Sequence, residues 1–143
     1  MTGFIIDASL ALAWFLPGEQ TQRSEVLLGR TLQDGALAPG LWPVEVANVL
    51  LTAERKGRVE ASYRVSSLAK LRKLPVEIDT ETATRAWSKS FDLAHGHNIT
   101  VYDATYLELA LRSGLPLATL DKALAKAATA SGVPVLGYVE GQD

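Results

Sequence analysis

Phe4-Ile5-Ile6-Asp7-Ala8-Ser9-Leu10-Ala11-Leu12-Ala13-Trp14-Phe15-Leu16 is the stretch that decides the fold. Three apolar residues in a row suit a short strand buried on both faces. From Ser9 onward the run becomes helical, and Pro17-Gly18 stops it. An acid, Asp7, stands at the joint. Working outward, the same alternation recurs. A helix is expected over 19–33, then a minimal strand at Ala36-Leu37-Ala38, ended by Pro39-Gly40. Pro43 suits the first position of a helix over 44–56, because its missing N–H costs nothing there. Gly57 closes that helix. A fourth helix over 61–74 stops at Pro75, and Val76-Glu77-Ile78 reads as a strand. Thr80 opens a helix to about 94, Gly96-His97-Asn98 breaks the chain, and Thr100 opens another helix to 112. A strand over 115–120, a helix opened by Asp121 and ended by Gly132, and a strand over 133–136 complete the reading. Short apolar strands alternating with helices predict an α/β fold, a parallel sheet with helices on both faces. One domain over 1–143 is expected, with a loose tail from about 138.

Composition bounds the chemistry. A chain of 143 residues suits one domain burying about 70% of its unfolded surface. There is no cysteine, which excludes disulfides and thiolate metal sites and leaves oxygen ligands and two histidines. The apolar run over 8–16 follows no lysine or arginine, and Asp7 interrupts it, unlike a signal peptide. It is far shorter than the ~20 residues of a membrane span, so a cytoplasmic chain is expected. Net charge is −2, but the distribution is uneven. Arg55, Lys56, Arg58, Arg64, Lys70, Arg72 and Lys73 lie in 54–73 against only Glu54 and Glu60. Such a stripe can meet phosphates or an acidic partner, or be a solvated pair of helix faces.

Four acids fall at related places. Asp7 follows the first strand, and Asp121 follows the strand before the last helix. Glu45 and Asp103 lie in first turns of helices. In a parallel sheet the carboxyl ends of the strands share one edge, and ligands bind in the crevice there. Each acid has a local explanation. Asp7 and Asp121 suit N-caps, Thr100 to Asp103 resembles a capping box, and Glu45 suits a helix dipole. Together they are costly: two carboxylates about 5 Å apart repel by roughly 3 kcal/mol at an effective dielectric of 20. Caps alone would be served by Ser, Thr or Asn. A hard divalent cation relieves the repulsion, and oxygen ligands suit Mg²⁺ or Mn²⁺. Such an ion promotes phosphodiester hydrolysis.

Ile5-Ile6-Asp7-Ala8-Ser9, the run from Pro43 through Glu45 and Asn48 to Leu50, the run from Tyr102-Asp103 to Ala110, and Leu117-Ala118-Thr119-Leu120-Asp121 resemble the four acidic motifs of PIN-domain proteins. In particular they resemble VapC-type toxins of bacterial toxin–antitoxin pairs, over nearly the whole chain and in order. The resemblance implies a PIN-like three-layer α/β/α fold with a short parallel sheet. It implies a Mg²⁺-dependent endoribonuclease, with Mn²⁺ as a substitute. Asp7, Asp103 and Asp121 would surround the metal, and Glu45 would orient or activate the attacking water. It assigns supporting roles to Ser9, Asn48 and Thr119, although Asn48 and Thr119 also suit local backbone bonds. It further implies an RNA substrate, a homodimer, and a cognate VapB-type antitoxin that blocks the cleft with a basic side chain and alone carries DNA binding. Some relatives place a further acid after the last motif. Here Lys122, Ala123 and Leu124 follow Asp121, which puts a full second metal site in doubt.

Other residues invite a reading. Trp14 and Phe15 are neighbours on one helix, so one is expected in the core. Trp42 beside Pro43 is expected either to stack on a base or to pack. Trp87 and Phe91, four apart, are expected in the core. His95 and His97 lack a third ligand nearby, which argues against a zinc site. No glycine-rich nucleotide motif is present. Two alternatives stand beside the nuclease. One is an aspartate-based phosphatase, weakened because Ser9 stands where a second Asp belongs. The other is a non-catalytic RNA- or protein-binding module whose acids are only caps.

Overall fold

The structure is a computed structural model and describes residues 3–141. Among the described residues five strands form one all-parallel sheet: β1 (Ile5–Ile6), β2 (Ala36–Ala38), β3 (Val76–Ile78), β4 (Leu117–Thr119) and β5 (Val135–Gly137), in the order β3-β2-β1-β4-β5. Eight helices among the same residues flank it: α1 (Ala8–Ala13), α2 (Gln22–Asp34), α3 (Trp42–Arg55), α4 (Ala61–Lys73), α5 (Thr82–Ala86), α6 (Lys89–His97), α7 (Val101–Ser113) and α8 (Lys122–Ala130). The first four pack among themselves, as do the last four. Right-handed crossovers explain this grouping, because the chain moves outward from β1 to β3 and then returns to β4 and β5. The expected α/β class and three-layer plan are those observed.

The central strands β1 and β4 are wholly buried, with Ile5 opposite Leu117 and Ile6 opposite Ala118. Burial on both faces is why these strands read as uninterrupted apolar runs. On β5, position 137 leaves no room for a side chain against β4. Gly137 has φ +96, and a Cβ there would stand 2.9 Å from the Thr119 carbonyl oxygen. Only glycine meets both conditions without strain.

Several local expectations are corrected. The second helix begins at Gln22, because Thr21 and Ser24 exchange hydrogen bonds in a reciprocal cap. The segment expected as one helix from Thr80 is two, α5 and α6, joined around Trp87 and Ser88. Trp87 is therefore no helical neighbour of Phe91. Trp87 is 89% exposed and Phe91 55% exposed, so neither belongs to the core. The expected break at Gly96-His97-Asn98 falls later. Helix α6 runs through His97, and Asn98 ends it in the left-handed region at φ 54. Trp14 is buried and donates its indole N–H to the Ser24 carbonyl, while Phe15 is half-buried. No helix among the described residues is long and apolar enough to cross a membrane. Of the expected tail, 142 and 143 lie outside the described residues, and Tyr138 and Glu140 line a groove beside α8.

Candidate active site

Strand order places a switch point between β1 and β4. The chain leaves β1 toward β2, whereas β4 lies on the other side, so a crevice opens above their carboxyl ends. Asp7 tops β1, and Asp121 follows β4. The N-termini of α3 and α7 rise at the same edge, carrying Glu45 and Asp103 in their first turns. The sheet thus gathers four acids distant in sequence.

Asp7 is 4% exposed and held by several donors. Its Oδ1 caps α1 by accepting from the Leu10 amide at 3.0 Å. The Ser9 hydroxyl reaches both carboxylate oxygens, at 2.8 and 2.9 Å, and the Thr119 hydroxyl donates to Oδ2 at 2.5 Å. These hydroxyls are themselves fixed. Ser9 Oγ accepts from the Leu120 amide and Thr119 Oγ1 from the Asp121 amide, each at 3.0 Å. Burial still dominates. It pushes the Asp7 carboxyl up to about 6 against the pull of Thr119, Leu10 and Ser9, and the charge on Asp121 adds to the rise. The indole of Trp42, itself buried, donates to the Asp7 carbonyl at 3.3 Å. Of its two expected roles, Trp42 therefore takes packing.

Asp103 is half-buried. Thr100 caps its amide at 3.0 Å, but the reciprocal bond of a capping box is not made, so its carboxylate is not spent on the helix end. That carboxyl is also pushed up to about 6, first by burial, then by the charges of Asp121 and Glu45. Asp121 is exposed and caps α8 through the Leu124 amide at 2.8 Å. Glu45 makes no cap. Its Oε1 accepts from the Tyr106 phenol at 2.5 Å. None of the four acids forms an ion pair with a lysine or arginine among the described residues.

The supporting residues divide. Ser9 and Thr119 both brace Asp7, whereas Asn48 is exposed and hydrogen-bonds none of the acids among the described residues. Tyr106 was not singled out by the sequence. Its one available sign is its place three residues after Asp103, on the same face of α7. His97 bonds Ser131 Oγ at 3.1 Å. In the basic stripe Arg58 pairs with Glu19 and Arg64 with Glu54, while Arg55, Lys56, Lys70, Arg72 and Lys73 are exposed.

The donor set suits a hard divalent cation held loosely. It is all oxygen, crowded and uncompensated. Among the described residues no three His, Asp or Glu side chains stand close enough to close round one ion. An open arrangement of this kind suits Mg²⁺, which keeps several waters and takes few protein ligands.

The PIN-domain family model matches residues 4–130. The chain is 30% identical over 122 residues to Ribonuclease VapC3 of Pyrobaculum aerophilum, covering 85% of this chain and 92% of that protein. It is 29% identical over 125 residues to Ribonuclease VapC3 of Mycobacterium tuberculosis H37Rv, covering 86% and 85%. The fold is similar to that of PAE2754 from P. aerophilum, with TM-score 0.69, 24% identity, and 94% and 83% of the two chains covered. It is also similar to VapC20 of M. tuberculosis, a sarcin-ricin loop cleaving toxin, with TM-score 0.60, 16% identity, and 99% and 100% covered. With this match over most of its length, the chain belongs to the PIN-domain family and, within it, to the VapC ribonucleases.

Proposed function

We propose that this protein is a divalent-metal-dependent endoribonuclease acting as the toxin of a toxin–antitoxin pair. One observation carries the site assignment. Asp103 and Glu45 crowd the crevice without capping a helix or meeting a basic partner, so caps alone do not account for the four acids. Asp7, Asp103 and Asp121 would surround Mg²⁺ or Mn²⁺, one or two of them ligating it directly and the rest through bound water. When bound, such an ion neutralises the phosphodiester, acidifies a water and steadies the leaving oxygen. Ser9 and Thr119 hold the Asp7 carboxylate in one orientation. Glu45 orients the attacking water and takes up its proton as the new P–O bond forms and the chain's P–O bond breaks. The open crevice suits unpaired RNA, and the exposed basic residues of 54–73 supply positive surface for its phosphates.

By the same reading, a cognate antitoxin silences the enzyme by placing an arginine or lysine among the acids. VapC proteins are expected to pair as homodimers, and sedimentation of the purified chain tests that.

The experiment is incubation of total cellular RNA with purified protein in Mg²⁺, Mn²⁺ or chelator, beside Asp7→Asn. Discrete fragments that require metal and vanish in the variant support the reading. Intact RNA in every condition, from folded and antitoxin-free protein, sinks it in favour of a binding module.

A further inference from the structure

We infer that Tyr106 is a positioning residue for Glu45, its phenol holding one carboxylate oxygen so that the other is left to the attacking water. The inference rests on the proposal that Glu45 serves that water.

Glu45 and Tyr106 come from opposite layers. Glu45 stands in the first turn of α3, among the helices packed with α1 and α4. Tyr106 stands on α7, among the helices on the other face. Their side chains meet over the sheet edge, with the phenol oxygen 2.5 Å from Glu45 Oε1. Among the described residues this is the sole hydrogen bond of the Glu45 side chain, and Oε2 accepts none. A half-buried glutamate has three rotatable side-chain bonds, and ordering it is costly without a fixed partner. Tyr106 is such a partner. It is 2% exposed, so its ring cannot follow a wandering carboxylate.

A buried tyrosine ordinarily finds some acceptor for its hydroxyl, most simply a backbone carbonyl. Here the acceptor is a site acid. Asp7 and Asp103 also act on the phenol electrostatically. Burial and these three carboxylates keep the phenol protonated, so it donates under all working conditions. The Tyr106 hydroxyl touches none of Asp7, Asp103 and Asp121 by hydrogen bond. Its removal is therefore expected to spare metal binding and to act on the chemical step.

The test compares wild type, Tyr106→Phe, Glu45→Gln and the double variant. The substrate is a quenched fluorescent single-stranded RNA spanning a site cut in total cellular RNA. Tyr106→Phe should lower kcat by about 10- to 100-fold, as for one hydrogen bond to a charged group. KM and the half-saturating Mg²⁺ concentration should stay within about 2-fold of wild type, since the lost interaction belongs to the chemical step. In the Glu45→Gln background the second change should add little, because both act through one group. A full multiplicative loss in the double variant, or equal damage to KM and Mg²⁺ response, overturns the inference. If Glu45→Gln is fully active, the assignment of Glu45 falls and Tyr106 falls with it. Crystal structures of wild type and Tyr106→Phe give a readout independent of activity. One Glu45 conformer in wild type and several in the variant support the role. The same single conformer in both overturns it.

Discussion

Thr119 and Asp7 lie 112 residues apart and share one hydrogen bond, hydroxyl to carboxylate, that joins the ends of β4 and β1. The same hydroxyl oxygen accepts from the amide of Asp121. One buried side chain therefore sets both the orientation of one acid and the approach of the next. Thr119→Val keeps the shape and removes both bonds. We expect it to weaken Mg²⁺ affinity by about 10- to 100-fold, as for loss of a residue that orients a ligand. It should destabilise the fold by about 1–3 kcal/mol, the cost of unpaired buried polar groups. Mg²⁺ titration of activity and chemical unfolding measure the two effects. Unchanged affinity would show that the bond is merely structural.

Substitution of the acids separates caps from ligands. Asp7→Asn can still accept from Leu10, and the Ser9 and Thr119 hydroxyls can rotate to accept from the new amide. Asn caps about as well as Asp. We expect Asp7→Asn and Asp103→Asn to abolish metal-dependent cleavage while leaving thermal stability equal or slightly raised. Melting curves beside cleavage assays check this, and normal cleavage by either variant would return that acid to a capping role.

The pH dependence follows from two carboxyls lifted to about 6. Between the ordinary aspartate range near 4 and about 6, the native metal-free protein holds protons that the unfolded chain has lost. Its stability must then fall as pH rises through that window. Asp7 is buried, and holding its carboxyl at about 6 rather than near 4 corresponds to roughly 3 kcal/mol. Asp79 works in the opposite sense. The hydrogen bonds and charge of Arg112 hold its carboxyl below the usual range, so its contribution is complete above pH 4 and lost in stronger acid. Urea unfolding in chelator at pH 4, 5, 6 and 7 should show stability declining, and less so in Asp7→Asn. A flat profile would contradict the burial argument.

Arg112 offers a test of the frame rather than the site. Its guanidinium meets Asp79 at 2.8 and 3.1 Å and Glu108 at 2.8 and 3.1 Å. Glu108 is 3% exposed. Arg112→Met would strand that buried carboxylate, at a cost of about 3–5 kcal/mol. Adding Glu108→Leu to the same chain should recover much of the loss. Thermal melts of the single and double variants decide it.

The positions of Asp7, Glu45, Asp103 and Asp121 were legible because each sits where an element begins, and boundaries marked by Pro, Gly and Thr are local chemistry. The strands were legible because burial on two faces leaves no polar alternation. Trp87 was not. Its spacing from Phe91 matched a helix, but the chain breaks between α5 and α6, and nothing in a spacing rule records that. Asn48 illustrates the same limit, since sharing a helix side with Glu45 does not bring its side chain to the acids. Tyr106 and Glu45 meet only because two layers converge over one sheet edge. Such a pairing depends on the tertiary arrangement.

Gly137 lies beyond the 4–130 span of the family match, on an edge strand of the sheet. Its close approach to the Thr119 carbonyl makes that outer strand a backstop for the crevice. An alanine at 137 would press on β4 from behind, and the strain would arrive at the residue that steers Asp7. Mutational scanning should therefore find that alanine at 137, outside all four acidic motifs, lowers cleavage activity. A shortened version ending after α8 would bare the edge of β4 to pairing with other chains.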